Sequence, residues 1–336
     1  MKKFFIRIAI FFGIAGAITA AIKLGLPHDW GNQPYSIKLD YLLEHQDEYN
    51  TVCIGPSTIV CNIIPEVFDE YTNNNTSTFN LGVNGMMYLE MKYALEHLLE
   101  NDLQVDNYIF LALEPRAITD RSLHSVRSKY YLDLQDVTTA TKYFSNNRKQ
   151  IYNHFLSYGE NLLAVGEIGE IIDYYASANE NIAPVEENGF FDLEKQRGKS
   201  QKVVDEVRAK TAAVRSQNKK MSPSRSSVKP PTEKQQLAIS ELKKVAELVE
   251  SYGKNIYFLY MPNQITYRYL TGHKNIYMGD GRDFPEFFED ENIVNLNHLN
   301  REGAELFSKR MGQLYLQQNP DLPKGKKSKK KRNKKR

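Results

Sequence analysis

The sequence is poor in cysteine and has no residue spacing suited to a metal. Cys53 and Cys61 are its two thiols, too few for a disulfide framework. Cys53 stands in an apolar β-branched run and Cys61 in the helical pattern after it, so two buried thiols are expected rather than a pair. No C-x-x-C or H-E-x-x-H spacing occurs and the seven histidines are scattered, so neither a metal site nor a cofactor is expected. No segment repeats. A strong overall charge is also missing, since the formal net charge is +3.

That small net charge hides an asymmetry. The last stretch, "KGKKSKKKRNKKR" from Lys324 to Arg336, holds 10 of the 44 Lys and Arg, which leaves 34 basic against 41 acidic side chains elsewhere. An acidic body therefore carries a basic tail without apolar residues, a composition that stays solvated and extended. With 336 residues, 41% of them hydrophobic, the body can bury one substantial core.

One long apolar run is present, at the N-terminus: "MKKFFIRIAIFFGIAGAITAAIKLGLP". Its uncharged part runs from Ile8 to Ile22, and snorkelling by Arg7 and Lys23 would bring Phe4 to Leu26 into a bilayer. A cleaved signal peptide is the rival reading, because Ala15-Gly16-Ala17 offers a small-x-small site after a basic start. The apolar run continues past that site, so an uncleaved single-pass anchor is expected. Lys2, Lys3 and Arg7 favour a cytoplasmic N-terminus, with the body on the extracytoplasmic side.

Beyond the anchor, strand-like and helix-like segments alternate. "TVCI" (Thr51 to Ile54) is a short buried strand ended by Gly55-Pro56, and "TSTFNL" (Thr76 to Leu81) is a second. A helix follows with Met87, Met91, Ala94, Leu95 and Leu98 on one face. "NYIFLAL" (Asn107 to Leu113) is apolar throughout, as suits a central parallel strand. Late in the chain, Thr232 can cap a helix that buries Leu242, Val245, Ala246 and Val249 and that Gly253 closes. "NIYFLYMP" and "ENIVNL" read as further strands, and "NREGAELFSKRMGQLYL" as a last helix with Ala304, Phe307, Met311 and Leu314 aligned. The order predicts an α/β domain around a mostly parallel sheet. It divides as residues 1–28, anchor or signal peptide; 29–320, the α/β domain, with a partly helical, partly Ser/Pro-rich insertion at about 118–229; and 321–336, the basic tail.

Ser57 sits where a serine nucleophile would: after a strand, on a tight turn, at a helix start whose N–H groups face a developing oxyanion. Alone, a serine there is more often a helix N-cap. A nucleophilic serine also needs a base, and "NLNHLNREGAELF" supplies His298 just before the last helix, three residues after Asn295.

Gly55-Pro56-Ser57 after a strand, "FNLGVNG" (Phe79 to Gly85) before a helix, and "NLNHLNREGAELF" near the C-terminus stand in the order of blocks one, two and five of the SGNH/GDSL hydrolase superfamily, which the chain resembles. The anchor, the "HLNREGA" ending and the central insertion are similar to its membrane-anchored bacterial branch. That branch includes the D-alanyl-transfer protein of teichoic-acid operons and the accessory acetyltransferases of exopolysaccharide O-acetylation. The resemblance implies a three-layer α/β fold, with Ser57 as nucleophile, His298 as general base, and the N–H groups of Ser57 and Gly85 in an oxyanion hole. It further implies acyl transfer or ester hydrolysis on an anionic or neutral cell-envelope glycan, and a multi-pass membrane acyltransferase as partner.

Two positions depart from the superfamily pattern. The aspartate three residues before the histidine is Asn295, which loses the carboxylate that stabilises a charged imidazole. The third block reads "ALEPR", with Glu114 where an amide donor is expected, so Asn84 is the candidate replacement donor to the oxyanion. Glu114 and Arg116 either form an ion pair or line the substrate pocket at the carboxyl end of their strand. Both departures favour the alternative of a non-catalytic accessory protein that binds glycan or scaffolds the membrane acyltransferase. The tail would bind nucleic acid in a cytosolic protein, but the export signal argues against that and for teichoic acid, polysaccharide or lipid head groups, or for no defined partner.

Overall fold

The computed structural model describes residues 2–25, 33–112, 131, 133–143, 148–163, 188–192, 233–261, 272–278, 285–295 and 298–323. The chain divides into two compact units, residues 1–40, 87–93 and 115–182 in one, and 41–86, 94–114 and 183–336 in the other.

The second unit holds the sheet. Five parallel strands, β1 (Thr51–Ile54), β2 (Thr78–Asn80), β3 (Asn107–Leu111), β4 (Asn255–Tyr260) and β5 (Lys274–Tyr277), lie in the order β2-β1-β3-β4-β5. β1 and β3 are apolar because they are interior strands, and Val52, Cys53, Ile54, Ile109 and Phe110 are completely buried. Cys53 and Cys61 are both buried and not joined, and burial pushes the Cys53 thiol far above its ordinary range.

Between the strands run α3 (Ser57–Asn62), α4 (Pro65–Tyr71), α5 (Tyr88–Glu100), α8 (Glu233–Ser251) and α9 (Arg301–Gln318). This alternation is the expected α/β pattern and is compatible with a three-layer arrangement. α8 buries Leu242, Val245, Ala246 and Val249, the predicted stripe. It closes at Gly253, whose φ of +71° a residue with a side chain would resist. Its capping residue Thr232 lies outside the described residues. α9 packs against α4 and α3. Gly312 permits that approach, since a Cβ there would stand 2.8 Å from the Tyr71 Cβ.

Three strand and helix expectations change. "ENIVNL" contributes not to the parallel sheet but to β6 (Ile293–Asn295), which pairs antiparallel with β7 (His298–Leu299). β5, which the sequence reading passed over, takes the edge of the main sheet beside β4. On α9 the buried stripe runs through Ala304, Phe307, Met311 and Tyr315, while Leu314 is half-buried. A helix advances 3.6 residues per turn, so after 304, 307 and 311 the position one further round, 315, keeps to the core face.

The described residues of the first unit form α1 (Lys2–Gly25), the start of α2 (Gln33–Glu44), the start of α5, and α6 (Leu134–Tyr143) packed on α7 (Arg148–Leu163). Lys92 pairs with the buried Asp136 of α6 at 3.2 Å. α1 forms where an anchor is predicted, and Phe4, Phe5, Phe11 and Phe12 on it are exposed. Among the described residues no helix is long and apolar enough to cross a membrane. The uncharged stretch from Ile8 to Ile22 reaches about 22 Å at a helical rise of ~1.5 Å per residue, short of roughly 30 Å of hydrocarbon. The Ser/Pro-rich part of the insertion, the cluster "LLAVGEIGEIIDYYASA" beyond Leu163 and the Lys-rich tail lie outside the described residues.

At the amino edge of the sheet, Asp69 gathers the chain between α4 and β2. Its carboxylate accepts the hydroxyls of Thr76 and Thr78, each at 2.6 Å, and the Thr78 N–H at 3.0 Å. Loss of solvent raises its pKa to about 6, and the nearby Glu66 adds to the rise, against the lowering by those donors. A folded-state pKa above the ordinary 3.8 means that the stabilising contribution is complete below about pH 4 and is lost as pH rises through about 6. Unfolding midpoints measured from pH 3.5 to 7.5 should therefore show that decline in the wild type, and Asp69→Asn should flatten it.

Candidate functional site

β1 is the point where strand order reverses, with the next strand in sequence, β2, on one side and β3 on the other. In an open parallel sheet such a reversal leaves a crevice at the carboxyl ends of the strands, because the two crossovers depart in opposite directions. Gly55-Pro56-Ser57 leaves β1 at that crevice. Gly55 is needed there by contact rather than by φ: a Cβ would lie 2.2 Å from Ile59 Cγ1 and 3.2 Å from Leu111 Cβ.

Ser57 is the first residue of α3, not its cap. Pro56 holds the cap position in extended backbone, and its carbonyl takes the N–H groups of Ile59 at 2.8 Å and Val60 at 3.2 Å. Proline has no capping side chain, so the Ser57 and Thr58 N–H groups form the open start of the helix. The N-cap reading of Ser57 is thereby replaced. Ser57 is half-buried, and the neighbouring Thr58 hydroxyl is shielded from solvent with no hydrogen-bond partner among the described residues.

The loop after β2 runs beside this turn. Leu81 N–H donates to the Cys53 carbonyl and Val83 N–H to the Gly55 carbonyl, each at 2.9 Å, so the loop prolongs β2 past the end of β1. Val83 to Met86 then closes a turn, with Met86 N–H on the Val83 carbonyl at 3.1 Å and Gly85 at φ +74°. A positive φ at the third residue of such a turn is what glycine supplies. Asn84 and Gly85 are both exposed at its tip. Gly82 must be glycine for contact: a Cβ there would meet Val60 N at 2.7 Å.

His298 opens β7, and its backbone stands opposite Asn295 in the β6–β7 pairing. It is half-buried, with Nε2 shielded from solvent. Two asparagines hold this strand. The Asn62 carboxamide oxygen accepts the Leu299 N–H at 3.0 Å, which fastens β7 to the end of α3. Asn300 caps α9 by accepting the Gly303 N–H at 2.9 Å and donates its own N–H to the Asn292 carbonyl at 3.1 Å. Gly303 must lack a side chain because a Cβ would lie 2.3 Å from that same carbonyl. The "NREG" run is thus a cap and a close approach that together set where His298 sits.

The structure thus brings Ser57, Asn84 and Gly85 to one turn region and places His298 and Asn295 on a hairpin packed against the helix that Ser57 begins. Glu114 and Arg116 lie outside the described residues. Among the described residues no cluster of three or more His, Cys, Asp or Glu side chains is arranged to hold a metal ion.

Sequence reading missed three positions. Asn80, completely buried, donates from its carboxamide to the Ile59 and Ile63 carbonyls, each at 2.9 Å, and accepts the Gly82 N–H at 3.0 Å. Asn62 reads as the polar end of a short helix. Asp192 lies far away in the insertion. An asparagine inside an apolar strand is a signal that could have flagged Asn80, since a buried carboxamide must find partners.

Compared with known proteins, the chain matches no family model, no curated protein and no solved structure.

Replacing Asn80 by Ala would take a donor from the Ile63 carbonyl and an acceptor from the Gly82 N–H in the interior, while the Ile59 carbonyl keeps the Ile63 N–H at 3.2 Å. We expect a loss of about 1–3 kcal/mol, the scale of removing one partner of a buried hydrogen bond. The urea midpoint of Asn80→Ala against wild type measures it.

Proposed function

We propose that the chain is an SGNH-like acyl transferase or esterase that acts on a cell-envelope glycan or glycopolymer. The observation that carries this reading is the fastening of β7 to α3 by Asn62, at the strand-order reversal. It joins the element that begins with His298 to the one that begins with Ser57. The two residues lie far apart in sequence, and a helix cap or a loop histidine needs no such connection.

In this reading the Ser57 hydroxyl adds to an ester or thioester carbonyl while His298 takes its proton. The N–H groups of Ser57 and Gly85, with the Asn84 carboxamide, receive the oxyanion. Collapse expels the donor alcohol or thiol with the proton held by His298 and leaves acyl-Ser57. A sugar hydroxyl or a water then attacks, loses its proton to His298, and frees Ser57. Glu114 and Arg116 are assigned to substrate binding at the end of β3.

The setting follows from the same resemblance. The body lies on the extracytoplasmic side of the cell membrane, held by α1, with Arg7 and Lys23 snorkelling so that Phe4 to Leu26 reach lipid. A multi-pass membrane acyltransferase supplies the acyl group, and no nucleic acid is involved. The basic tail works apart from the site. The last described residue, Pro323, accepts the Asn75 carboxamide on its carbonyl at 3.0 Å, at the amino edge of the sheet.

A second reading, a non-catalytic accessory protein of the same fold, is favoured by one feature, the amide of Asn295 where a carboxylate would support the base. A fluorophosphonate probe separates the two. The purified full-length chain should be labelled, labelling should fall at least about 10²-fold in Ser57→Ala and in His298→Ala, and removal of residues 324–336 should leave it unchanged. A folded wild type that stays unlabelled would decide for the accessory role.

A further inference from the structure

A base opposite Asn295 needs a carboxylate from elsewhere, because an amide can orient an imidazole but cannot balance its charge. One short piece of the insertion, residues 188–192, is built into the sheet-bearing unit. Asn188 accepts the Asn80 N–H on its carbonyl at 2.9 Å, and its side chain accepts the Phe190 N–H at 3.0 Å. Gly189, at φ +86°, presses so closely on β2 that a Cβ would lie 2.1 Å from the Asn80 carbonyl oxygen. Phe191 donates its N–H to the Val60 carbonyl of α3 at 3.0 Å and buries its ring against Val60 and Cys61. The segment is thereby fixed to the helix that Ser57 begins.

The next residue is Asp192, whose side chain is 7% exposed. Its carboxylate lies 3.5 Å from the guanidinium of Arg301, and that guanidinium stands over the Phe190 ring, 5.8 Å from its centroid. Arg301 opens α9 three residues after His298, and Asn62 ties the intervening Leu299 back to α3. Asp192 is therefore held where the segments bearing Ser57 and His298 meet. The other carboxylate on Arg301, Glu305 at 3.6 Å, is 53% exposed, so water screens its field. The buried Asp192 is screened far less.

We infer that Asp192 is the positioning residue for His298: it accepts the imidazole N–H, fixes the tautomer that leaves the other nitrogen for the Ser57 proton, and balances the imidazolium. The insertion then supplies what Asn295 lacks. This inference rests on the acyl-transfer reading for its purpose, but not for its geometry.

Proton NMR of the full-length chain tests it. A strongly deshielded imidazole N–H resonance, assigned by its loss in His298→Gln, should show a nuclear Overhauser effect to the Asp192 Hβ protons. It should vanish in Asp192→Asn and return in Asp192→Glu. Fluorophosphonate labelling should fall about 10²-fold or more in Asp192→Asn and recover in part in Asp192→Glu. If the wild type lacks the resonance or the Overhauser effect, or if the resonance persists in Asp192→Asn, the inference is overturned. The wild-type measurement decides even where a variant does not fold. A resonance that behaves as expected in a protein that takes no probe supports Asp192 and sinks the acyl-transfer reading alone. Probe labelling that is unchanged in Asp192→Asn sinks the inference alone.

Discussion

The side chain of Asn80 is the point on which the candidate site depends. A six-residue helix has almost no internal hydrogen bonding of its own, since its first N–H groups and last carbonyls have no partners inside it. α3 is such a helix, and it must still hold Ser57 steady. Asn80 takes the carbonyls of Ile59 and Ile63, fixes the Gly82 N–H and, through its backbone, receives the insertion. The remaining ends of α3 are closed from other directions: Val60 O by Phe191 N–H, and Ile64 N–H by the Ser308 hydroxyl of α9 at 2.8 Å. The helix is short because its groups are satisfied by tertiary partners rather than by a further turn.

That arrangement explains why so many small or amide residues cluster here. Gly55, Gly82, Gly189 and Gly303 each sit where a Cβ would enter a neighbour, and the carboxamides of Asn62, Asn80 and Asn300 each join two segments. Glycine gives close approach, and asparagine supplies a donor and an acceptor on one short arm. Together they allow loops from four parts of the chain to cross within hydrogen-bonding distance of α3. A core of larger apolar side chains would keep those backbones apart.

Local patterns were legible in the sequence and long-range ones were not. β1, α8 and the first turns of α9 follow from β-branched runs and apolar periodicity, all contained within a few residues. The antiparallel turn-back of "ENIVNL" was misread because a short apolar run looks the same in a parallel strand and in a hairpin. β5 was missed because "HKNIYMG" holds too few apolar residues to stand out, its edge position covering less of it. The N-cap reading of Ser57 failed for a positional reason: the proline before it has a fixed φ suited to the cap site. The contribution of residues 188–192 could not be read from the sequence, since nothing in "NGFFD" tells which helix its N–H groups meet.

The edges of the sheet also differ in kind. At the amino edge, Asp69 binds threonine hydroxyls and α9 ends with Asn319 accepting from the Tyr257 hydroxyl at 2.9 Å and from Lys274 at 3.0 Å. These are polar clamps between neighbouring loops. At the carboxyl edge the contacts run through glycine and asparagine and, among the described residues, leave the Ser57 hydroxyl and the start of α3 without a capping side chain. A fold that needed only stability would have satisfied both edges alike, for instance with a capping serine in place of Pro56. The chain instead puts at its strand-order reversal a cap that cannot cap. On the proposed reading, the carboxyl edge of β1 is where a ligand would meet these groups, and a catalytic and a non-catalytic reading both start from it.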